Sequence, residues 1–125
     1  LKLGNMSVPG DCGSISPILA RIGDKWSTLI ILVLSEGPKR YSVLRREIES
    51  ISQRMLTLTL RALERDGLIL RTVHADKNPP QVEYELTDLG KTLIDPLYAL
   101  CLWASQNCDA IEENRKKHEA EQADA

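Results

Sequence analysis

One stretch constrains this chain more than any other: Ser52-Gln53-Arg54-Met55-Leu56-Thr57-Leu58-Thr59-Leu60-Arg61-Ala62-Leu63-Glu64-Arg65-Asp66-Gly67. It reads as a helix with a marked start and stop. Ser52 is a good N-cap, since its hydroxyl accepts one of the unpaired N–H groups of the first turn. Gly67 suits the position just past the helix, where the left-handed backbone region is needed. Leu56, Leu60 and Leu63 recur at i, i+4, i+7 and predict a buried stripe. At ~100° per residue, Arg54, Leu58, Arg61 and Arg65 fall on the opposite face, with Gln53 and Thr57 on its flank. A basic outer face is ordinary for a solvated helix, but this one also carries groups that fit base edges. Arg and Gln make bidentate contacts to bases, and Thr or Leu58 suits a thymine methyl.

The flanking segments give this helix a context. The 125 residues suit one domain with a proper core, and the absence of Phe leaves its filling mainly to aliphatic side chains. Ser16 and Pro17 predict the start of a first helix, about 17–22, burying Ile18, Leu19 and Ile22. Asp24 caps a second, in which Trp26, Leu29, Ile30, Val33 and Leu34 follow helical spacing, with Ile31 and Leu32 widening the stripe. That helix ends at Gly37-Pro38, and Lys39-Arg40-Tyr41 make an extended connector. Ser42 then caps a short helix to about Ile48, burying Val43, Leu44 and Ile48. A short turn leads to Ser52. Two helices joined by such a turn, the second polar and basic outward, are the helix-turn-helix pattern, which presents Ser52, Gln53, Arg54 and Thr57 to a major groove.

After Gly67 the period changes to two. Residues 68–73 and the alternation Val82, Tyr84, Leu86 predict two strands, joined by a tip containing Asp76-Lys77-Asn78-Pro79-Pro80. A hairpin directly after the second helix of the motif is a wing, whose His74, Lys77 and Asn78 are placed to reach phosphate or a minor groove. An ordinary solvated turn remains the alternative there. Thr87-Asp88 starts a last helix, with Leu89, Leu93, Leu97, Leu100, Ala104, Cys108 and Ile111 as its stripe and a kink or restart at Pro96. Tyr98, Leu102 and Trp103 add apolar surface beyond what so small a core needs, which argues for a partner. A two-fold dimer also matches two half-sites of a pseudo-palindromic operator. The fold class expected is mainly α with a small β-hairpin, a winged helix-turn-helix. Residues 1–14 form a flexible segment and 15–112 the domain (recognition helix about 52–66, wing about 68–87, dimerisation helix about 88–112). Residues 113–125 form a charged tail, expected to fray.

Charge distribution supports the same reading. The net charge is −2, but residues 37–77 hold nine cations against five acids, whereas 109–125 hold six acids against three cations. A local basic field draws phosphates regardless of the total. Expected phosphate contacts are Lys39, Arg40, Arg45, Arg61 and the wing-tip Lys77 and Asn78; expected base contacts are Ser52, Gln53, Arg54, Thr57 and Leu58. Neither a nucleophile–base pair nor a phosphate-binding Gly loop is visible, so catalysis is not expected. Cys12, Cys101 and Cys108 match no zinc spacing and His74 and His118 are isolated, so neither metal nor cofactor is expected. No apolar run reaches the ~18 residues of a membrane span, and no basic-then-apolar leader is visible, which points to the cytoplasm and free thiols.

Several motifs in order resemble one family. Ile22-Gly23-Asp24-Lys25-Trp26 is similar to the signature that opens HxlR-type winged helix regulators, which are MarR-like. The resemblance continues through Gly37, Arg40-Tyr41, Leu44-Arg45, Ile48, residues 51–57 and 60–68, then 79–87, Gly90, Leu93, Pro96 and Trp103. It implies a homodimeric bacterial transcription regulator, held together by its first and last helices, that binds operator DNA through recognition helix and wing; the reading taken is one that represses or activates a nearby promoter, with repression favoured. It also implies a thiol switch. Several members carry an N-terminal Cys that senses oxidants or electrophiles such as quinones, diamide or hypochlorite. Cys12 matches in location, with Gly13 where the family has Pro and one residue more before the signature. Arg54 stands where Lys is commoner. Cys101 and Cys108, seven apart on one helix, are separated by roughly 10 Å of rise, too far for a mutual disulfide. Cys12 could reach either one on the other subunit, as in some relatives, while both have a plain alternative as small packing residues. Two rival readings stay open. One is a protein–protein module whose basic face docks an acidic partner. The other is a regulator whose small-molecule ligand sits near Trp26, Tyr98 and Trp103.

Overall fold

The computed structural model describes residues 15–124, together with the backbone of two short strands near the N-terminus, β1 (Lys2–Leu3) and β2 (Met6–Ser7). These two pair antiparallel. Cys12, and the flexibility expected of the residues around it, lie outside the described residues.

Helices α1 (Ile15–Ile22), α2 (Lys25–Leu34), α3 (Tyr41–Glu47) and α4 (Gln53–Arg65) follow in order. The centre of the domain is α2. Asp24 caps it by accepting the Ser27 N–H at 3.2 Å. Its continuous apolar run lets it pack against α4, the sheet and the last helix, and Ile30 and Ile31 are fully buried. Around them close Leu44, Ile48, Leu56, Leu60, Leu63, Ile69, Leu86 and Leu97. Trp26 packs against this core half-buried, with the Lys25 ammonium 4.5 Å from its ring centre.

The sheet has three strands, not two. The segment expected to be a connector contributes β3 (Lys39–Arg40), which pairs antiparallel with β5 (Gln81–Leu86). On the other side of β5 lies β4 (Ile69–His74), giving the order β3-β5-β4. The β4–β5 register runs without a bulge from Ile69 opposite Leu86 to His74 opposite Gln81. Because Arg40 ends β3 and Tyr41 begins α3, the N-cap of α3 is Arg40, without a side-chain hydrogen bond, and not Ser42.

Further expectations are corrected or sharpened at the two ends of the domain. Helix α1 begins before Ser16, so Ser16 and Pro17 lie in its first turn, where the proline's missing N–H leaves no intrahelical bond unmade. Helix α1 buries no residue: Ile18 and Leu19 are exposed, because no described residue covers its outer side. Of the kink or restart expected at Pro96 the structure has a restart, slightly earlier, at Thr92 and Leu93, giving α5 (Asp88–Lys91) and α6 (Ile94–Ala123). The expected stripe is thereby split: Leu97 is buried and Leu93 packs half-buried against the core, while Leu100, Ala104 and Cys108 are exposed. The charged end is helical through Ala123, where Glu, Lys, Arg, Gln and Ala are all strong helix formers.

Candidate nucleic-acid interface

The start of α4 is built as its sequence dictates. Ser52 Oγ accepts the Met55 N–H at 3.0 Å. At the far end Gly67 takes φ +76°, which allows its N–H to donate to Glu64 O and the Leu68 N–H to donate to Leu63 O, both at 3.0 Å. These are the paired bonds of a Schellman stop. Leu56, Leu60 and Leu63 are buried, and the outward residues Gln53, Arg54, Leu58, Arg61 and Arg65 are exposed. The turn between α3 and α4 passes through Ser50 at φ +71° and is anchored by Ile51, buried beneath it.

Tyr41, which the sequence reading left out of the site, fixes the start of this helix. Its hydroxyl donates to Gln53 O at 3.1 Å and sits 2.9 Å from Thr57 Oγ1. The Thr57 hydroxyl is therefore partly engaged within the protein, leaving its methyl group for an apolar contact. Only its place beside Arg40 in the helix-turn-helix segment marked Tyr41 in sequence.

Gln53, Arg54, Thr57, Leu58 and Arg61 line one shallow concavity on α4. A second groove runs between α4 and the wing and takes in Arg61 and Arg71, and a third, between α3 and the wing, takes in Arg40 and Arg71. Arg71 joins these two grooves. It is directly opposite Tyr84 in the sheet. The sequence reading counted it among the basic residues but did not place it in the site, because strand alternation alone does not say which face meets a ligand. Arg45, Lys77 and Asn78 are exposed, the last two at the wing tip.

Two wing-side expectations change character. Lys39 does not project alone: its Nζ lies 3.0 Å from Glu36 and 3.3 Å from Glu47, and its side chain is 15% exposed. The Glu36 carboxylate, with Glu47 adding to it, holds the Lys39 pKa above the usual lysine range, against the opposing effect of partial burial. His74 Nε2 lies 3.7 Å from Glu83 Oε1 across the hairpin. Cys101 is half-buried and Cys108 exposed on α6, where the Cys108 thiol points to Ser105 O at 3.5 Å. Among the described residues no cluster of three metal-ligating side chains occurs, and no helix is long and apolar enough to cross a membrane.

A tri-helical body with a capped, basic-faced helix and an adjoining hairpin defines the winged helix-turn-helix class of DNA-binding transcription regulators. The chain belongs to the HxlR-like helix-turn-helix family, which residues 21–112 match. It is 48% identical over 90 residues to an HTH-type transcriptional regulator of Methanothermobacter thermautotrophicus, covering 72% of this chain and 68% of that one. Its fold is similar to that of the transcriptional regulator YtfH from Salmonella typhimurium (TM-score 0.76, 35% identity, 86% of this chain and 95% of that one). It is also similar to the redox regulator HypR in its reduced form (TM-score 0.72, 40% identity, 80% and 98%).

Proposed function

We propose that the chain acts as a homodimeric, sequence-specific repressor of a nearby promoter, reading a pseudo-palindromic operator. The observation that carries this reading is the single exposed face of α4. Gln53, Arg54, Leu58 and Arg61 stand together there with no side-chain partner among the described residues, and a groove holding Arg61 and Arg71 leads from it to the wing. Base edges are read by Gln53, Arg54 and Leu58, with Ser52 and the Thr57 methyl at the margin. Arg40, Arg45, Arg61, Arg71, Lys77 and Asn78 hold phosphates. Lys39 is assigned instead to the Glu36–Glu47 clamp.

Dimerisation is supported by the apolar side chains that a lone chain leaves in water: Leu19 on α1, and Tyr98, Leu100 and Trp103 on α6, are each more than half exposed. Surface of that kind marks an interface. Thiol switching is supported by the likeness to HypR, a redox regulator, and by the accessibility of Cys108; Cys12 is the sensor that the sequence favours. The decisive experiment is a fluorescence-anisotropy titration of duplex DNA from upstream of the protein's own gene, with the protein reduced and then treated with diamide. Tight binding that is lost on oxidation and restored by reductant is expected. Binding no tighter than to scrambled duplex in both states would sink the DNA reading, and binding indifferent to diamide would sink the switch.

A further inference from the structure

Most outward side chains of α4 are hydrogen-bonding groups, but the middle of that face is carbon. Leu58 is 48% exposed and shares one shallow concavity with Gln53, Arg54, Thr57 and Arg61. Arg54 stands four residues before it and Arg61 three after, so both are its neighbours on the helix surface. A single exposed leucine is ordinary. What sets this one apart is the state of Thr57 beside it. The Tyr41 hydroxyl has one proton, and Gln53 O, a carbonyl, takes it at 3.1 Å. The 2.9 Å contact between Tyr41 Oη and Thr57 Oγ1 therefore uses the Thr57 proton. The Thr57 hydroxyl has no proton left to give a base, which leaves its methyl group, with the Leu58 side chain, as the carbon wall of the concavity.

We propose that Leu58, with the Thr57 methyl group, selects a pyrimidine that carries a 5-methyl group, which is thymine in an unmodified operator. The inference rests on the operator reading of α4 and names the base that its apolar centre takes. On the major-groove edges of the four bases, the thymine methyl is the one apolar group on offer. A phosphate oxygen gains nothing from a leucine side chain, since covering it strips its water with no hydrogen bond in return. The match extends to the surroundings. Thymine sets its methyl beside the O4 acceptor, and α4 sets Leu58 beside the Arg54 and Arg61 donors. Helix geometry gives the position. Four residues of rise put Leu58 about 6 Å from Arg54 along α4, less than two base steps of ~3.4 Å. The thymine therefore lies within about two base pairs of the base that Arg54 contacts.

The test starts from a duplex that the full chain selects out of a randomised library. Each thymine of that duplex is replaced in turn by deoxyuridine, which keeps the pairing and O4 and lacks only the methyl, and affinities are read by fluorescence anisotropy. At one thymine in each half-site the replacement is expected to weaken binding about fourfold, as the loss of one buried methyl implies. Leu58→Ala, at a half-exposed site where alanine suits the helix, should weaken the thymine duplex and bind the two duplexes equally. At the same position 5-methylcytosine should bind wild type tighter than cytosine does by a similar factor, and Leu58→Ala should erase that difference too. Thymines that are all indifferent to deoxyuridine, or a penalty that survives in Leu58→Ala, would overturn the proposal and leave the operator reading standing. A chain that selects no duplex over scrambled DNA would sink the operator reading, and this inference with it.

Discussion

The Tyr41 hydroxyl lies 2.9 Å from Thr57 Oγ1 and donates to Gln53 O at 3.1 Å, so the first residue of α3 holds the first turn of α4 from outside that helix. The apolar stripe alone lets α4 roll and slide over a hydrophobic surface, whereas two directed hydrogen bonds set its rotation and rise. Tyr41→Phe keeps the ring and removes both bonds. It is expected to cost about 0.5–1.5 kcal/mol of stability in urea unfolding. On the operator reading it also lowers specific DNA affinity severalfold with little effect on scrambled duplex. A loss shared equally by both duplexes would assign Tyr41 to folding alone.

Ser52 gives a second test of the same helix end. Its hydroxyl is the acceptor for the Met55 N–H. Ser52→Ala should destabilise by about 1 kcal/mol and Ser52→Gly by only a few tenths, measured by thermal or denaturant unfolding. The reverse order would mean that the Oγ contact matters less than backbone freedom at this exposed position.

These two residues differ in how readable they were. Ser52 and Gly67 announce themselves because capping is local, a matter of a few residues in one chain direction. The same holds for Asp24 and Thr87, whose side chains accept the N–H groups of Ser27 and Gly90. Tyr41 and Arg71 acquire their roles from segments far away in sequence, α4 for one and the α3–wing groove for the other, so no local pattern marks them. Lys39 misled for a different reason: Glu36 and Glu47 are close in sequence, but they flank the Gly37-Pro38 turn and α3, and the extended connector gave no sign that its ammonium turns toward both. The α1 stripe was read correctly as apolar but wrongly as buried, since Ile18 and Leu19 are exposed, whereas the surplus apolar surface of the last helix already argued for a partner. Amphipathicity says that a face needs a partner, not which molecule supplies it.

Gly90 offers a prediction about the joint between the wing and the long helix. A Cβ placed there would stand 2.0 Å from Leu68 O and 3.3 Å from Leu86 Cδ2. The first neighbour is backbone, held in place by accepting the Thr87 N–H at 3.1 Å, and cannot swing aside. Gly90→Ala should therefore destabilise by about 1–3 kcal/mol or more, as overpacking does, even though alanine is the better helix former. A stabilised variant would show that α5 can shift away from β4 without loss.

The lysine clamp makes a prediction in pH. The folded pKa of Lys39 is raised, chiefly by Glu36. The clamp's contribution is therefore complete below the ordinary lysine pKa of about 10.4 and fades as pH climbs through the higher folded value. Lys39→Met should destabilise by a constant amount from neutral pH to about 10, with the gap to wild type narrowing above that. Denaturant unfolding across this range measures it. A gap that stays constant at every pH would assign the loss to packing of the lysine stem.

Specific and non-specific DNA contacts separate by salt. If Arg54 makes a bidentate base contact, Arg54→Ala weakens operator binding by ~1–3 kcal/mol and relaxes discrimination at one base pair. Arg61→Ala, by contrast, is expected to remove a phosphate contact on the operator reading. It should weaken operator and scrambled duplex alike and reduce the slope of log affinity against log salt by ~0.9. Lys39→Met should leave that slope unchanged, because its ammonium already faces Glu36 and Glu47. Anisotropy titrations of the three variants on both duplexes over a salt series decide all of this together. A slope change for Lys39→Met equal to that of Arg61→Ala would return Lys39 to the DNA surface. A loss for Arg54→Ala equal on both duplexes would move Arg54 from the bases to the backbone.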